Sequence, residues 1–290
     1  MNMPSISEAL HEAQKALSAL DSAKLDTEVL LAHVLKKNRS YLRAYSDQVI
    51  TTSELQQFQQ LIKKRTKKTP IAYLIGEKEF WSLTFKITPD VLIPRPETEL
   101  LVEKVLQEHG DKKELTLFDL GTGSGAIAIA LAHEKPSWKI IASDISEKAL
   151  AIAKENASIL VKPTNITFIH SHWLDQFPQD LKADVIVSNP PYLAQNDPHL
   201  HDSEISHEPK LALIAMPAPE VRLAPGTEAY YWIAQQAKAF LNPEGRVYFE
   251  HGCEQGEEVR EIFRQAGYQD IYSINDWANL PRVTVGLSKN

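Results

Sequence analysis

Between residues 115 and 144 the chain reads "LTLFDLGTGSGAIAIALAHEKPSWKIIASD", and no other stretch narrows its folding options as far. "LTLFDL" has the length and apolarity of a buried strand, "AIAIALA" follows a glycine loop as an apolar helix, and "KIIASD" is a second buried strand. Two strands joined through a helix pair in parallel, by a crossover. The alternation continues with a helix in "SEKALAIAKENASIL" and strands in "NITFIH" and "ADVIVS". A helix in "EAYYWIAQQAKAF", a strand in "GRVYFE", a helix in "GEEVREIFRQA" and a closing strand in "RVTVGL" complete it. The pattern predicts an α/β fold with a Rossmann-like, doubly wound sheet, whose ligand crevice opens at the carboxyl ends of its strands.

Two motifs fall at such ends. In the first, Gly121, Thr122, Gly123, Ser124 and Gly125 join strand to helix. Small residues there let the backbone approach a ligand, and the helix N-terminus offers unpaired N–H groups. Asp144 ends the next strand about twenty residues on, where a carboxylate can accept from ribose hydroxyls. A nucleoside-containing cofactor is the expectation. The third glycine comes one position earlier than a dinucleotide fingerprint requires, and Asp119 before the loop would oppose a pyrophosphate. A carboxylate at that place suits a cationic ligand such as the amino group of S-adenosylmethionine. NAD, another nucleotide or a plain tight turn stay open from these residues alone.

The second motif is "VIVSNPPYLAQ". Adjacent prolines offer no N–H to a sheet, so the strand must stop there. A rigid turn is the plain reading. The chemical reading is that the Asn189 side-chain oxygen and the Pro190 carbonyl bind the two N–H bonds of a planar amine or amide. Pro191 stiffens the loop and the Tyr192 ring supplies a flat face.

The first 69 residues have a different rhythm. Ser5 and Glu8 have capping-box spacing ahead of a stripe of Leu10, Ala13, Leu17 and Leu20. Further helices are expected around Leu25 to Leu35 and from Thr51, with Glu54 three residues on, to the basic "KKRTKK", read as a solvated helix end. Residues 70–99 read as a hairpin and connector, with Arg95 between Pro94 and Pro96, and residues 100–290 as the sheet domain. No apolar run is long enough for a bilayer, and the N-terminal stretch carries no targeting pattern. One cysteine, Cys253, excludes an internal disulfide, and the expectation is a cytoplasmic protein. A formal charge of −7 argues against a nucleic-acid partner gripped through its phosphates. His170, His172, His199 and His201 lack metal-ligand spacing and are expected to be solvated or hydrogen-bonded, with no metal. The acidic stretch 197–208 is read as a lid over the substrate entrance.

"DLGTGSG", "ASDIS" and "SNPPY" together resemble class I S-adenosylmethionine-dependent methyltransferases acting on planar nitrogen. More narrowly, "YLIGEKEF", "VLIPRPETELLVE", "SNPPYL", "HEPKLAL" and "EHGCEQGEEV" resemble the bacterial enzymes that methylate glutamine in peptide chain release factors. The resemblance runs from about Pro70 to the C-terminus. It implies S-adenosylmethionine as cofactor, the glutamine of a Gly-Gly-Gln loop as acceptor, and a helical N-terminal domain that docks the release factor. It assigns Gly121 to Gly125 to the methionine and ribose end, Asp144 to the ribose and Trp173 to the adenine. Asn189 would touch cofactor and substrate, while Pro190, Pro191 and Tyr192 line the glutamine pocket. A monomer that needs neither membrane nor nucleic acid is the accompanying expectation. The chain departs from the family in a long stretch at 214–226, in Glu250-His251-Gly252, and in "NLPR" near the end. The alternatives are a methyltransferase for a ribosomal-protein glutamine, an adenine-N6 methyltransferase of nucleic acid, and a non-catalytic module that keeps the pocket.

Overall fold

The computed structural model describes residues 3–161, 165–201, 204–217 and 223–289. Two compact units are present. One comprises Met1–Glu77 with His201–His207, and the other Lys78–Leu200 with Glu208–Asn290.

The first unit is helical: α1 (Ile6–Ala16), α2 (Ala23–Leu35), α3 (Arg39–Ala44), α4 (Thr52–Arg65) and α5 (Ile71–Ile75). Both expected capping boxes form, Ser5 with Glu8 and Thr51 with Glu54, so each helix starts with its orphan donors satisfied. The amphipathic faces meet in a core around Ile6, Leu17, Leu30, Leu31 and Phe58. The short α5 lays Ile71, Leu74 and Ile75 on that core, so the unit continues past residue 69.

Five residues of the basic hexamer are exposed, as a solvated helix end requires, and Arg65 departs from that reading. Arg65 is 3% exposed, with Nε donating to Asp26 Oδ2 at 2.7 Å and Nη2 to Glu204 Oε1 at 2.6 Å. Burying a guanidinium costs several kcal/mol, which only such paired, hydrogen-bonded geometry offsets. In the segment read as a lid, Glu204 takes that bond and His207 Nε2 lies 3.1 Å from the Lys67 carbonyl oxygen. Residues 202–203 of that reading lie outside the described residues, as do residues 218–222 of the long stretch at 214–226.

The second unit begins with a two-stranded sheet, β1 (Glu77–Phe80) and β2 (Leu83–Lys86), turned by Trp81 and Ser82 at φ +52° and +57°. Then follow α6 (Glu99–His109), β3 (Thr116–Leu120), α7 (Ala126–Glu134), β4 (Lys139–Asp144), α8 (Glu147–Leu160), β5 (Ile166–His170) and β6 (Ala183–Ser188). The chain continues as α9 (Lys210–Leu213), α10 (Glu228–Phe240), β7 (Leu241–Glu250), α11 (Gly256–Gln265), β8 (Gln269–Asn275) and β9 (Pro281–Leu287). The large sheet has the order β5-β4-β3-β6-β7-β9-β8, parallel throughout except that β9 runs antiparallel to β7 and β8. Strand β8 was not anticipated from the sequence. "QDIYSIN" is only half-buried and lies at the sheet edge, so it lacks the continuous apolar run of an inner strand.

Register positions the site. Leu120 of β3 pairs with Ser143 of β4 and Ser188 of β6, and Ser188 pairs with Phe249 of β7. Gly121, Asp144, Asn189 and Glu250 are each the next residue along, so they stand in one row across the carboxyl ends of four strands. The direction of winding reverses between β3 and β6, which opens the crevice at that row. Among the described residues, no helix is long and apolar enough to cross a membrane.

Candidate active site

A cleft opens above the row, walled by Gly121, Gly123, Asp144, Trp173, Asn189 and Pro191. The glycine loop is shaped by backbone conformation. Gly123 has φ +57°, and its N–H donates to Asp144 Oδ2 at 2.9 Å. Gly125 has φ +86°, a conformation strained for any L side chain, and a Cβ there would also stand 3.3 Å from Ala153 Cβ of α8, so the turn into α7 calls for glycine.

Asp144 also accepts from Ser146 N at 2.8 Å through its other oxygen. Burial raises its carboxyl above the usual carboxylate range, while N–H bonds from Ser146, Gly123 and Ile145 pull it back. Acceptor capacity remains on the carboxylate, so a ribose hydroxyl can be added without displacing the loop. Trp173, at φ +48°, lines the cleft and also packs against the central core. The set fits a nucleoside: two acceptors, an indole face and a loop with no side chain to block approach.

Asp119 lies beneath the loop, 0% exposed. Its Oδ2 accepts from the Thr122 hydroxyl at 2.6 Å and from Ala128 N at 3.2 Å, while Oδ1 has no partner. Burial pushes this carboxyl up to about 7, against the pull of those two donors, and the Asp144 charge adds to the rise. A raised carboxyl contributes stability that is complete below its unfolded value near 4 and is lost as pH rises through about 7. Asp119→Asn cannot titrate, so the stability of the parent relative to this variant should fall by roughly 4 kcal/mol between pH 4 and pH 8. Denaturant unfolding at both pH values measures it, and a pH-independent difference would contradict the placement of that charge.

At the end of β6, Asn189 Nδ2 donates to Thr98 Oγ1 at 3.2 Å, and Asn189 Oδ1 is buried with no partner. A buried amide oxygen left unpaired costs about 1–3 kcal/mol unless a donor reaches it. Pro190 is buried, Pro191 lines the cleft and Tyr192 packs against the core. Gln255 holds this loop, its Nε2 donating to the Tyr192 carbonyl at 3.0 Å. Burial raises the Tyr192 phenol above its ordinary value, with the Glu250 charge adding to it, so the phenol stays neutral near pH 7.

Of the residues singled out in the sequence, the fold therefore brings Gly121, Gly123, Asp144, Trp173, Asn189 and Pro191 to one cleft. Thr122 and Ser124 turn inward, 6% and 3% exposed, to brace the loop on Asp119 and Asn156. Of the four histidines singled out, His170 lies 2.8 Å from the Ile145 carbonyl, His172 3.2 Å from Asp175 and His199 2.7 Å from Asp197, while His201 is exposed. Sequence reasoning passed over the far wall, formed by Val91, Leu92, Pro209, Leu211 and Ala212. It also missed the latch joining the segments of that wall, in which Glu208 accepts from Ile93 N at 3.0 Å and from Arg95. The quoted strings "VLIPRPETE" and "HEPKLAL" hold all these residues, but nothing in them signals that they pair.

Known proteins resemble this chain over nearly its full length. Residues 8–76 match the family model described as PrmC N-terminal domain, and residues 96–207 match Methyltransferase small domain. The release factor glutamine methyltransferase of Vibrio cholerae is 42% identical over 289 residues, covering 98% of this chain and 97% of that protein. The Escherichia coli protein of the same name is 39% identical over 277 residues, 96% of each chain. Among solved structures, a methyltransferase from Pyrococcus furiosus matches 80% of this chain and 98% of its own at 16% identity, with a TM-score of 0.53, a likeness of fold. With identity near 40% along almost the whole length, the chain belongs to the release factor glutamine methyltransferase family.

Proposed function

We propose that this enzyme transfers a methyl group from S-adenosylmethionine to the side-chain amide nitrogen of the glutamine in the Gly-Gly-Gln loop of a peptide chain release factor. The observation that carries the reading is the buried, unpartnered Asn189 Oδ1, held at the cleft by the bond from its own amide to Thr98.

An amide nitrogen is a poor nucleophile because its lone pair is delocalised into the carbonyl. Asn189 Oδ1 and the Pro190 carbonyl accept the two N–H bonds of the glutamine carboxamide and so hold its nitrogen face toward the donor. Fixing that geometry replaces a rare encounter by a standing one, the largest gain open to a site without a strong base. Bound S-adenosylmethionine supplies the electrophilic methyl on its sulfonium centre. Asp144 would hold the ribose of that cofactor, the loop from Gly121 to Gly125 its methionine and ribose end, and Trp173 would lie beside its adenine. Tyr192 is neutral, so it shapes the pocket and takes no proton. After transfer the alkylated nitrogen is strongly acidic and gives its extra proton to water. The release factor as partner comes from the names of the relatives, and the acidic chain fits a protein substrate better than a nucleic acid gripped through its phosphates.

The test offers labelled cofactor in parallel to a release factor, the same factor with its Gly-Gly-Gln glutamine changed to alanine, a ribosomal protein and duplex DNA. Label is expected in the unaltered release factor alone. Label in the ribosomal protein or DNA with none in the release factor would overturn the assignment.

A further inference from the structure

The sequence treated Thr98 and Glu250 as connector and family wording, yet both are buried beside Asn189, 4% and 3% exposed. Asn189 and Glu250 occupy neighbouring positions in the row of strand ends, since Ser188 pairs with Phe249. Thr98 precedes α6 in helical conformation, at φ −65° and ψ −22°, and its side chain caps no helix N–H. Its oxygen instead receives Asn189 Nδ2 at 3.2 Å, and its hydroxyl lies beside the Glu250 carboxyl, whose titration it pulls down.

We infer that Glu250, acting through the Thr98 hydroxyl, is a positioning residue that locks the Asn189 carboxamide with its oxygen toward the acceptor nitrogen. The inference rests on the role proposed for Asn189. A carboxamide has two nearly isosteric orientations, and only one of them accepts from a substrate –NH2. A hydroxyl has a single hydrogen. When a carboxylate takes it, Thr98 presents only lone pairs to Asn189, so the Asn189 –NH2 end must face Thr98 and Oδ1 must face the cleft. When Glu250 is neutral, the Thr98 hydrogen is released to bond Asn189 Oδ1. The flipped amide then turns its own –NH2 on the substrate –NH2, donor against donor.

The relay is set to respond near neutrality. Burial pushes the Glu250 carboxyl up to about 7, with Thr98 pulling down, Glu97 raising it, and Arg282 and Arg95 lowering it. Tyr192 and Tyr230 face the same carboxyl from the acceptor loop and from α10, both neutral. Since the charged form holds the productive orientation, turnover gains from Glu250 as pH rises through about 7.

Single-turnover methylation of the release factor at saturating cofactor tests this, with cofactor affinity as the check on folding. Thr98→Val should slow transfer about 10- to 100-fold, while Thr98→Ser, which keeps the hydroxyl, should stay within about 3-fold of the parent. Glu250→Gln should be slowed about 10-fold at pH 8, with the ratio of parent to variant closing toward unity at pH 6, where the parental carboxyl is itself neutral. A merely structural role would give a ratio independent of pH. Should Thr98→Val lose cofactor affinity, Glu250→Gln and its pH ratio decide alone. Parental rates in Thr98→Val and Glu250→Gln beside a slow Asn189→Ala would overturn the relay and leave the site reading standing. A parental rate in Asn189→Ala would remove the site reading and the inference with it.

Discussion

Asn189→Ala should lower the rate of glutamine methylation by about 100- to 1,000-fold, the loss typical of removing one prealigned hydrogen-bonding group from a reacting centre. The variant deletes the buried Oδ1 that has no partner in the protein, together with the amide bond to Thr98. Nothing else in the acceptor loop can replace it, because Pro190 and Pro191 carry no N–H or side-chain polar atom. Cofactor affinity should change by less than about 10-fold, since Asp144 and the glycine loop remain. Rate and affinity together separate acceptor alignment from cofactor capture. A variant that turns over near the parental rate would show that the methylated nitrogen is aligned by other groups.

Asp144→Ala should have the opposite profile. It removes the carboxylate that holds Gly123 N and Ser146 N and that is left with acceptor capacity for a ribose diol. Hydrogen bonds to a charged group contribute about 1.5–3 kcal/mol each, so loss of the pair should weaken cofactor binding about 100-fold or more. Transfer from saturating cofactor should recover to within about 10-fold of the parent, because the acceptor loop is untouched. Titration calorimetry gives the dissociation constant, and an unchanged value would refute the ribose contact.

What was legible in the sequence follows from how local each signal is. The glycine loop and Asp144 belong to one strand-helix-strand unit, and Asn189 to the end of one strand, so short strings expose them. The capping boxes at Ser5 and Thr51 are legible for the same reason. Thr98 and Glu250 escaped because 152 positions separate them, and only the order β3-β6-β7 with its register brings Glu250 to Asn189. Arg65 was misread because a run of six mostly basic residues looks uniformly solvated. Its partners Asp26 and Glu204 come from elsewhere in the chain, one of them 139 residues away. The edge strand β8 had no continuous apolar run, and its place outside β9 depends on a chain reversal that no short string encodes.

The most direct measurement of the central claim is the position of Asn189 Oδ1 in a complex with demethylated cofactor and a glutamine peptide. A separation of about 2.9 Å from the glutamine amide nitrogen, with Nδ2 still on Thr98, is the expected geometry. An Asn189 side chain turned from the sulfur centre, or a separation beyond about 4 Å, would contradict it.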